Sequence, residues 1–121
     1  MKKNSTIVYI NIPTFNNEKT IKQSLYSILN QTYKNIRIKV IDNGSTDKTL
    51  LRIKEIKSKK ISVIKNNSKK GMYNLAKAYE SKKDYLCVYH SDDIYHKKIV
   101  EEQIKYLKKN KEVILVSTKA N

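Results

Sequence analysis

Tyr85-Leu86-Cys87-Val88-Tyr89, followed at once by His90-Ser91-Asp92-Asp93, is the stretch around which the chain is organised. Five apolar or aromatic residues in a row, without alternation, predict a strand buried on both faces, as in the interior of a parallel sheet. Two carboxylates stand at its exit. In open parallel α/β sheets, ligands bind outside the carboxyl ends of the strands, so acids placed there face a crevice. Like charges so close repel unless a cation lies between them. A hard divalent ion with oxygen ligands, Mg²⁺ or Mn²⁺ bridging to a phosphate, removes that repulsion. The bland alternative is that Asp92 and Asp93 simply open the next helix, where the dipole stabilises an acid in the first turn.

Upstream, residues 6–12 read as a first strand ended by Pro13, which cannot donate to a sheet ladder. Asn16 or Asn17 can then cap a helix whose Ile21, Leu25, Ile28 and Leu29 form one apolar stripe. Phe15, the one Phe of the chain, falls in the loop between them; it either stacks on a planar base or plugs the end of the sheet. Residues 36–41 are a second strand, less buried than the first because its alternate positions are charged. In the turn that follows, Gly44 permits a sharp bend, Ser45 or Thr46 can cap, and Asp47 suits a helix first turn. That leaves Asp42 as an unexplained acid at a strand's carboxyl end, able to accept from a ribose hydroxyl or a base N–H.

Thr49, Ile53 and Ile56 face the core from the second helix, and residues 61–64 form a third strand whose shortness suggests an edge. Residues 66–71 are the longest polar loop, where the pair Lys69-Lys70 either reaches a phosphate or is solvated loop charge. Met72, Leu75, Ala76 and Tyr79 start another helical stripe. After the two acids comes a helix from about His96 to Lys109, with Val100, Ile104 and Leu107 inward, and residues 113–116 are a last apolar strand. Alternating strands and helices predict an α/β fold: a three-layer Rossmann-like domain with a mainly parallel sheet in the order 3-2-1-4-5 and helices on both faces. The most apolar strands, the first and fourth, are then central. The loops after Ile12, Ile41 and Tyr89 surround one crevice, bringing Phe15, Asp42, Asp92 and Asp93 together. Neither common glycine-rich phosphate loop is present, which argues against a P-loop NTPase or a dinucleotide enzyme.

A chain of 121 residues makes one domain, residues 1–121, with room for a single core. No apolar run is long enough to span a bilayer and no signal-peptide core opens the sequence. The expectation is therefore a cytoplasmic protein, or one peripheral to the inner face of a membrane. Cys87 is the one cysteine and reads as a small core residue, so disulfides and cysteine-based zinc sites are excluded. A formal charge of +15 admits nucleic acid, an anionic membrane or a phosphorylated ligand. Of the 26 basic residues, however, only Arg37 and Arg52 are arginine. Together with the many Asn and Ile, this has the look of A/T-rich coding more than of a surface selected for base readout, and no specific nucleic acid is expected.

Three runs, residues 10–18, residues 40–47 and residues 89–93, occur in an order and spacing that resemble glycosyltransferase family 2 over essentially the whole chain. The resemblance implies the GT-A fold and inverting transfer from a nucleotide-diphosphate sugar, favouring a UDP-sugar, to a saccharide or lipid-linked acceptor, as in polysaccharide biosynthesis. It implies that Pro13 and Thr14 contact the base through backbone, that Phe15 stands where the family usually has a stacking Tyr, and that Asp42 accepts from the uracil N–H. Asp92 would hold the ribose or assist the metal, and Asp93 would ligate Mn²⁺ or Mg²⁺ in a DXD-type motif. His90 stands where many members have a further Asp and is given no ligand role. Lys70 and Asn74 fall in the loop and helix that run beside the sugar donor in the family. Members carry the acceptor site and catalytic base in a second half, so the base is expected beyond Asn121, which makes this chain a truncated transferase or a stand-alone sugar-donor-binding module. A non-catalytic nucleotide- or partner-binding domain is the alternative, and a basic nucleic-acid-binding domain a more distant one.

Overall fold

The computed structural model describes residues 6–66 and 85–110. In chain order the elements are β1 (Val8–Thr14), α1 (Ile21–Leu29), β2 (Ile36–Asp42), α2 (Thr49–Lys54), β3 (Ile61–Lys65), β4 (Tyr85–Val88) and α3 (Ile99–Lys109). The strands form a parallel sheet in the order β3-β2-β1-β4. This is the expected order for the first four. The fifth strand expected at residues 113–116 and the helix expected from Met72, Leu75, Ala76 and Tyr79 lie outside the described residues.

Alternation along β1 and β2 explains the core. Val8, Ile10 and Ile12 on β1 and Ile36, Ile38 and Val40 on β2 point to one face, where they meet Ile21, Leu25 and Ile28 of α1, Ile53 of α2, and Val100 and Ile104 of α3 in one apolar cluster. Most of the helical positions read from the sequence in the described helices are buried, while Leu29, Ile56 and Leu107 are half-buried. Arg37 is exposed and Lys39 half-buried on the other face of β2, as its charged positions predict, while Ile41 is buried outside that cluster.

Two strand expectations need correction. β1 does not stop at Pro13 but runs through it, with Pro13 opposite Ile41 and Thr14 opposite Asp42. The hydrogen-bond parity shows why. In β1, Val8 N–H donates to Asn35 and the Thr14 carbonyl accepts from Asn43, so even-numbered residues face β2, whereas the Asn11 carbonyl accepts from Tyr89 on the β4 side. Pro13 therefore lacks its N–H on the side where the pairing with β4 ends at Asn11–Val88, and no bond of the β1–β2 ladder is lost. The second correction concerns β4. Its apolar run predicts burial on both faces, yet Tyr85, Leu86 and Cys87 are half-buried and Val88 is exposed, in keeping with its outer place among the four described strands. Burial still pushes the Cys87 thiol up to about 11, so it stays protonated at neutral pH and serves as packing.

The helix after β4 begins at Ile99 rather than near His96, and Gln31 accounts for this. Its buried side chain donates through Nε2 to the His96 carbonyl (2.7 Å) and accepts through Oε1 from Val100 N–H (3.1 Å), one of the first-turn groups a helix leaves unpaired. None of the described helices is long and apolar enough to cross a membrane.

Candidate functional site

The carboxyl ends of β1, β2 and β4 are adjacent, and each loop that leaves them carries residues singled out in the sequence. Asp42 ends β2 opposite Thr14 and is only 3% exposed. Gly44, at φ +89°, turns the chain back so that Ser45 N–H donates to Asp42 Oδ2 (3.1 Å). Asp42 Oδ1 is left without a partner, the one buried side-chain polar atom among the described residues in that position. Buried acceptors are seldom unpaired, so this oxygen is suited to a ligand N–H or O–H. Phe15 is 55% exposed. It does not plug the sheet, and its ring is open to a planar group.

At the exit of β4, Asp92 is exposed and Asp93 half-buried. The helix-opening alternative for these acids fails: α3 starts six residues after Asp93, and the acids of its first turn are Glu101 and Glu102. The backbone of this loop is held against α1, with Ser24 Oγ donating to the carbonyls of His90 and Asp93. Tyr95 closes the loop on itself. Its hydroxyl accepts from His90 N–H (2.7 Å), and its ring stacks on buried Tyr89 at 4.3 Å. Burial pushes the Tyr95 phenol above its ordinary value, and the neighbouring charges of Asp93 and Asp92 push the same way against the His90 hydrogen bond.

The caps expected of Asn16 and Asn17 are not made; α1 has Thr20 at its N-cap without a side-chain cap bond. Both side chains instead reach across the crevice. Asn16, at φ 49°, accepts through Oδ1 from Thr46 N–H (2.8 Å) and Asp47 N–H (3.3 Å), and its own N–H donates to Ser45 Oγ (2.9 Å). Asn17 Oδ1 accepts from Thr14 Oγ1 (3.0 Å), Phe15 N–H (3.2 Å) and Ser91 Oγ (2.7 Å), while its N–H donates to Thr49 Oγ1 (2.8 Å). Ser45 and Thr46 are drawn into this network rather than capping α2. Asp47 lies just before that helix, not in its first turn, accepting from Thr49 N–H (2.9 Å) and from Glu18 N–H (3.3 Å). Local spacing gives no sign of these ties, since their partners lie about 30 and 74 residues away in sequence.

Of the anticipated site residues, the structure therefore brings Pro13, Thr14, Phe15, Asp42, Asp92 and Asp93 to the same end of the sheet; Lys70 and Asn74 lie outside the described residues. The Thr14 carbonyl is engaged by Asn43 N–H (2.9 Å), which leaves the Pro13 carbonyl as the one directed away from β2. No group of three or more His, Cys, Asp or Glu that could hold a metal occurs among the described residues. The acid pair still suits a hard cation of the kind held by one or two carboxylates and completed by phosphate oxygens and water: both donors are oxygen, and one is open to solvent.

The sequence model described as "Glycosyl transferase family 2" matches residues 9–121. The Escherichia coli protein UDP-Glc:alpha-D-GlcNAc-diphosphoundecaprenol beta-1,3-glucosyltransferase WfgD is 35% identical to this chain over 107 residues, covering 86% of this chain and 42% of its own length. Among solved structures, S. aureus TarS 1-349 in complex with UDP-GlcNAc matches with a TM-score of 0.72 at 24% identity, covering 86% of this chain and 32% of that one. The mannosyltransferase PcManGT from Pyrobaculum calidifontis, in complex with GDP-Man and Mn²⁺, matches with a TM-score of 0.72 at 17% identity, over 83% of this chain and 32% of that one. These two likenesses carry the fold alone, and it is the Rossmann-like, GT-A type of parallel sheet expected. The chain spans 35 to 44% of the length of the curated relatives it matches.

Proposed function

The chain belongs to glycosyl transferase family 2, and from that premise we propose that it binds a nucleotide-diphosphate sugar, preferentially a UDP-sugar, for inverting transfer to a saccharide or lipid-linked acceptor. The observation that carries this reading is the unpaired, buried Asp42 Oδ1 at the end of β2, in the crevice that the exposed Phe15 also borders. A uracil N–H satisfies that acceptor, the Phe15 face stacks on the ring, and the Pro13 carbonyl is directed toward the same end of the sheet. The Escherichia coli relative WfgD is named for a UDP-sugar, which supports the choice of base.

Asp93 and Asp92 are the residues that would hold Mn²⁺ or Mg²⁺, with Asp92 also within the ribose's part of the crevice. The ion supplies positive charge that offsets the leaving diphosphate. The rest falls to the chain itself. Asp42 orients the base, Phe15 covers it, and the carboxylates of the β4 loop would hold the cation beside which the diphosphate lies. Inverting transfer also needs a carboxylate that takes the proton of the acceptor hydroxyl. None of the described residues is assigned that role, and we place the base outside residues 1–121. We further propose that the protein works in the cytoplasm or peripherally at the inner face of a membrane, where a net charge of +15 adds a salt-screened attraction to anionic headgroups without selecting among ligands.

Calorimetry with UDP, GDP and ADP, each in Mn²⁺ and in chelator, tests the reading. UDP is expected to bind tightest and to bind more tightly with metal. Equal UDP affinity in chelator overturns the metal role, and a preference for ADP or GDP overturns the base assignment.

A further inference from the structure

We propose that Asn17 is a positioning residue that couples the base side of the crevice to its acidic side. The inference rests on the sugar-donor site proposed above and assigns it a control point in a residue that touches neither base nor metal. One atom, Asn17 Oδ1, accepts at once from Thr14 Oγ1 and Phe15 N–H on the β1 loop and from Ser91 Oγ on the β4 loop, at 3.0, 3.2 and 2.7 Å. Ser91 is buried and stands immediately before Asp92. Phe15 is exposed and owes its backbone placement to the same oxygen. The ring offered to the base and the carboxylates offered to the cation are therefore anchored to a common point. The Asn17 N–H, bonded to Thr49 Oγ1 of α2 at 2.8 Å, fixes that point against the scaffold. Ser91 is pinned from its other side as well, its carbonyl accepting from Thr20 Oγ1 (3.1 Å).

Two loops that share one anchor lose their freedom together. Whichever ligand part binds first orders the loop that receives the other, and linkage makes that assistance reciprocal. Asn17 thereby raises the affinity for an intact nucleoside diphosphate with its cation above what separate loops would give.

Three variants divide the possibilities. Asn17→Ala removes the shared acceptor and is expected to lower affinity for uridine, and for UDP with Mn²⁺, by about tenfold or more. Asn17→Asp keeps an oxygen at the same place; because uridine is uncharged, it should bind this variant within about threefold of the parent. Ser91→Ala cuts only the tie to the acidic loop. It should lower uridine affinity less than Asn17→Ala does and reduce the gain that Mn²⁺ gives to UDP. Amide hydrogen exchange without ligand provides a readout free of the site's function: exchange at Phe15 and across residues 90–93 should accelerate together in Asn17→Ala. Parent-like affinities and exchange in folded Asn17→Ala overturn the proposal, as does failure of Asn17→Asp to recover uridine binding. Should Asn17→Ala not fold, a Ser91→Ala variant with unchanged metal enhancement and unchanged exchange overturns it alone. A parent protein that binds neither uridine nor UDP would defeat the sugar-donor site itself, an outcome distinct from any of these.

Discussion

The two oxygens of Asp42 have different fates, and that difference decides what a substitution there should do. Ser45 N–H holds Oδ2, so in Asp42→Asn the amide oxygen must stay with Ser45 and the new NH₂ takes the place of Oδ1. A donor then faces the base N–H. Uridine binding is expected to fall by about 1.5 to 3 kcal/mol, or roughly tenfold to a hundredfold, while Mn²⁺ still strengthens UDP. Asp93→Asn should do the reverse, leaving uridine unaffected and removing the metal dependence of UDP. Titrating both variants with uridine, UDP and UDP plus Mn²⁺ distinguishes the roles, and identical profiles would refute the division. A second prediction concerns Asp47. Partial burial disfavours its charge, but hydrogen bonds from Thr49 and Glu18 outweigh that and hold the carboxyl below the ordinary value of 3.8. A depressed carboxylate stabilises the fold above its unfolded value, and this contribution is lost as pH falls through the folded one. Asp47→Asn should therefore melt below the parent at pH 6, with the gap closing as pH is lowered past 3.8. At this scale the acids could be picked out from sequence because strand ends are visible there. Asn16, Asn17 and Ser91 could not, because their partners come from distant loops.

Among the elements, α1 and α2 follow their apolar spacing, since burial of one stripe is set by residues three and four apart and needs no knowledge of the partner. Their ends do not follow local rules. Neither has a side-chain N-cap bond, and α3 is capped by Gln31 from beyond the C-terminus of α1. β1 is the instructive strand. Pro13 reads as a terminator in isolation, but only the direction of its missing N–H matters, and that depends on which neighbour has already ended. Pro13→Ala is accordingly expected to cost about 0.4 to 1 kcal/mol, the effect of a looser unfolded chain, with no loss of ladder bonding. Ile10→Ala, in the fully buried row of the same strand, should cost about 2 to 5 kcal/mol. Urea melts of the two variants check the contrast; a Pro13→Ala loss as large as that of Ile10→Ala would show that the ring does more than occupy an unpaired position.

For the whole molecule, strand order could be inferred because right-handed crossovers leave few arrangements of alternating strands and helices, and the four described strands lie in the order inferred. Once that order is set, the three loops must meet, so the convergence of Phe15, Asp42, Asp92 and Asp93 follows from topology rather than from any motif. Charge is less informative, because a net +15 made almost wholly of lysine says little about the ligand. Surface lysines attract any polyanion, and salt screens that attraction, whereas a buried acceptor and a carboxylate pair select a ligand by geometry. The two contributions can be separated by titrating the 121-residue protein with UDP plus Mn²⁺, with single-stranded DNA of several sequences and with anionic vesicles, from about 50 to 200 mM salt. DNA and vesicle binding should fall steeply over that range and ignore sequence or headgroup, by about 10³ or more if six or more charges are engaged. UDP carries few charges and is proposed to meet a built site, so its affinity should change far less. In the same samples, transfer of sugar from a UDP-sugar to an acceptor should remain at the level of slow hydrolysis if the acceptor's base lies outside residues 1–121, as proposed. A nucleic-acid complex that persists at the upper salt concentration with one sequence preferred would shift the functional reading toward the lysines. Sustained transfer would instead reveal a base within residues 1–121.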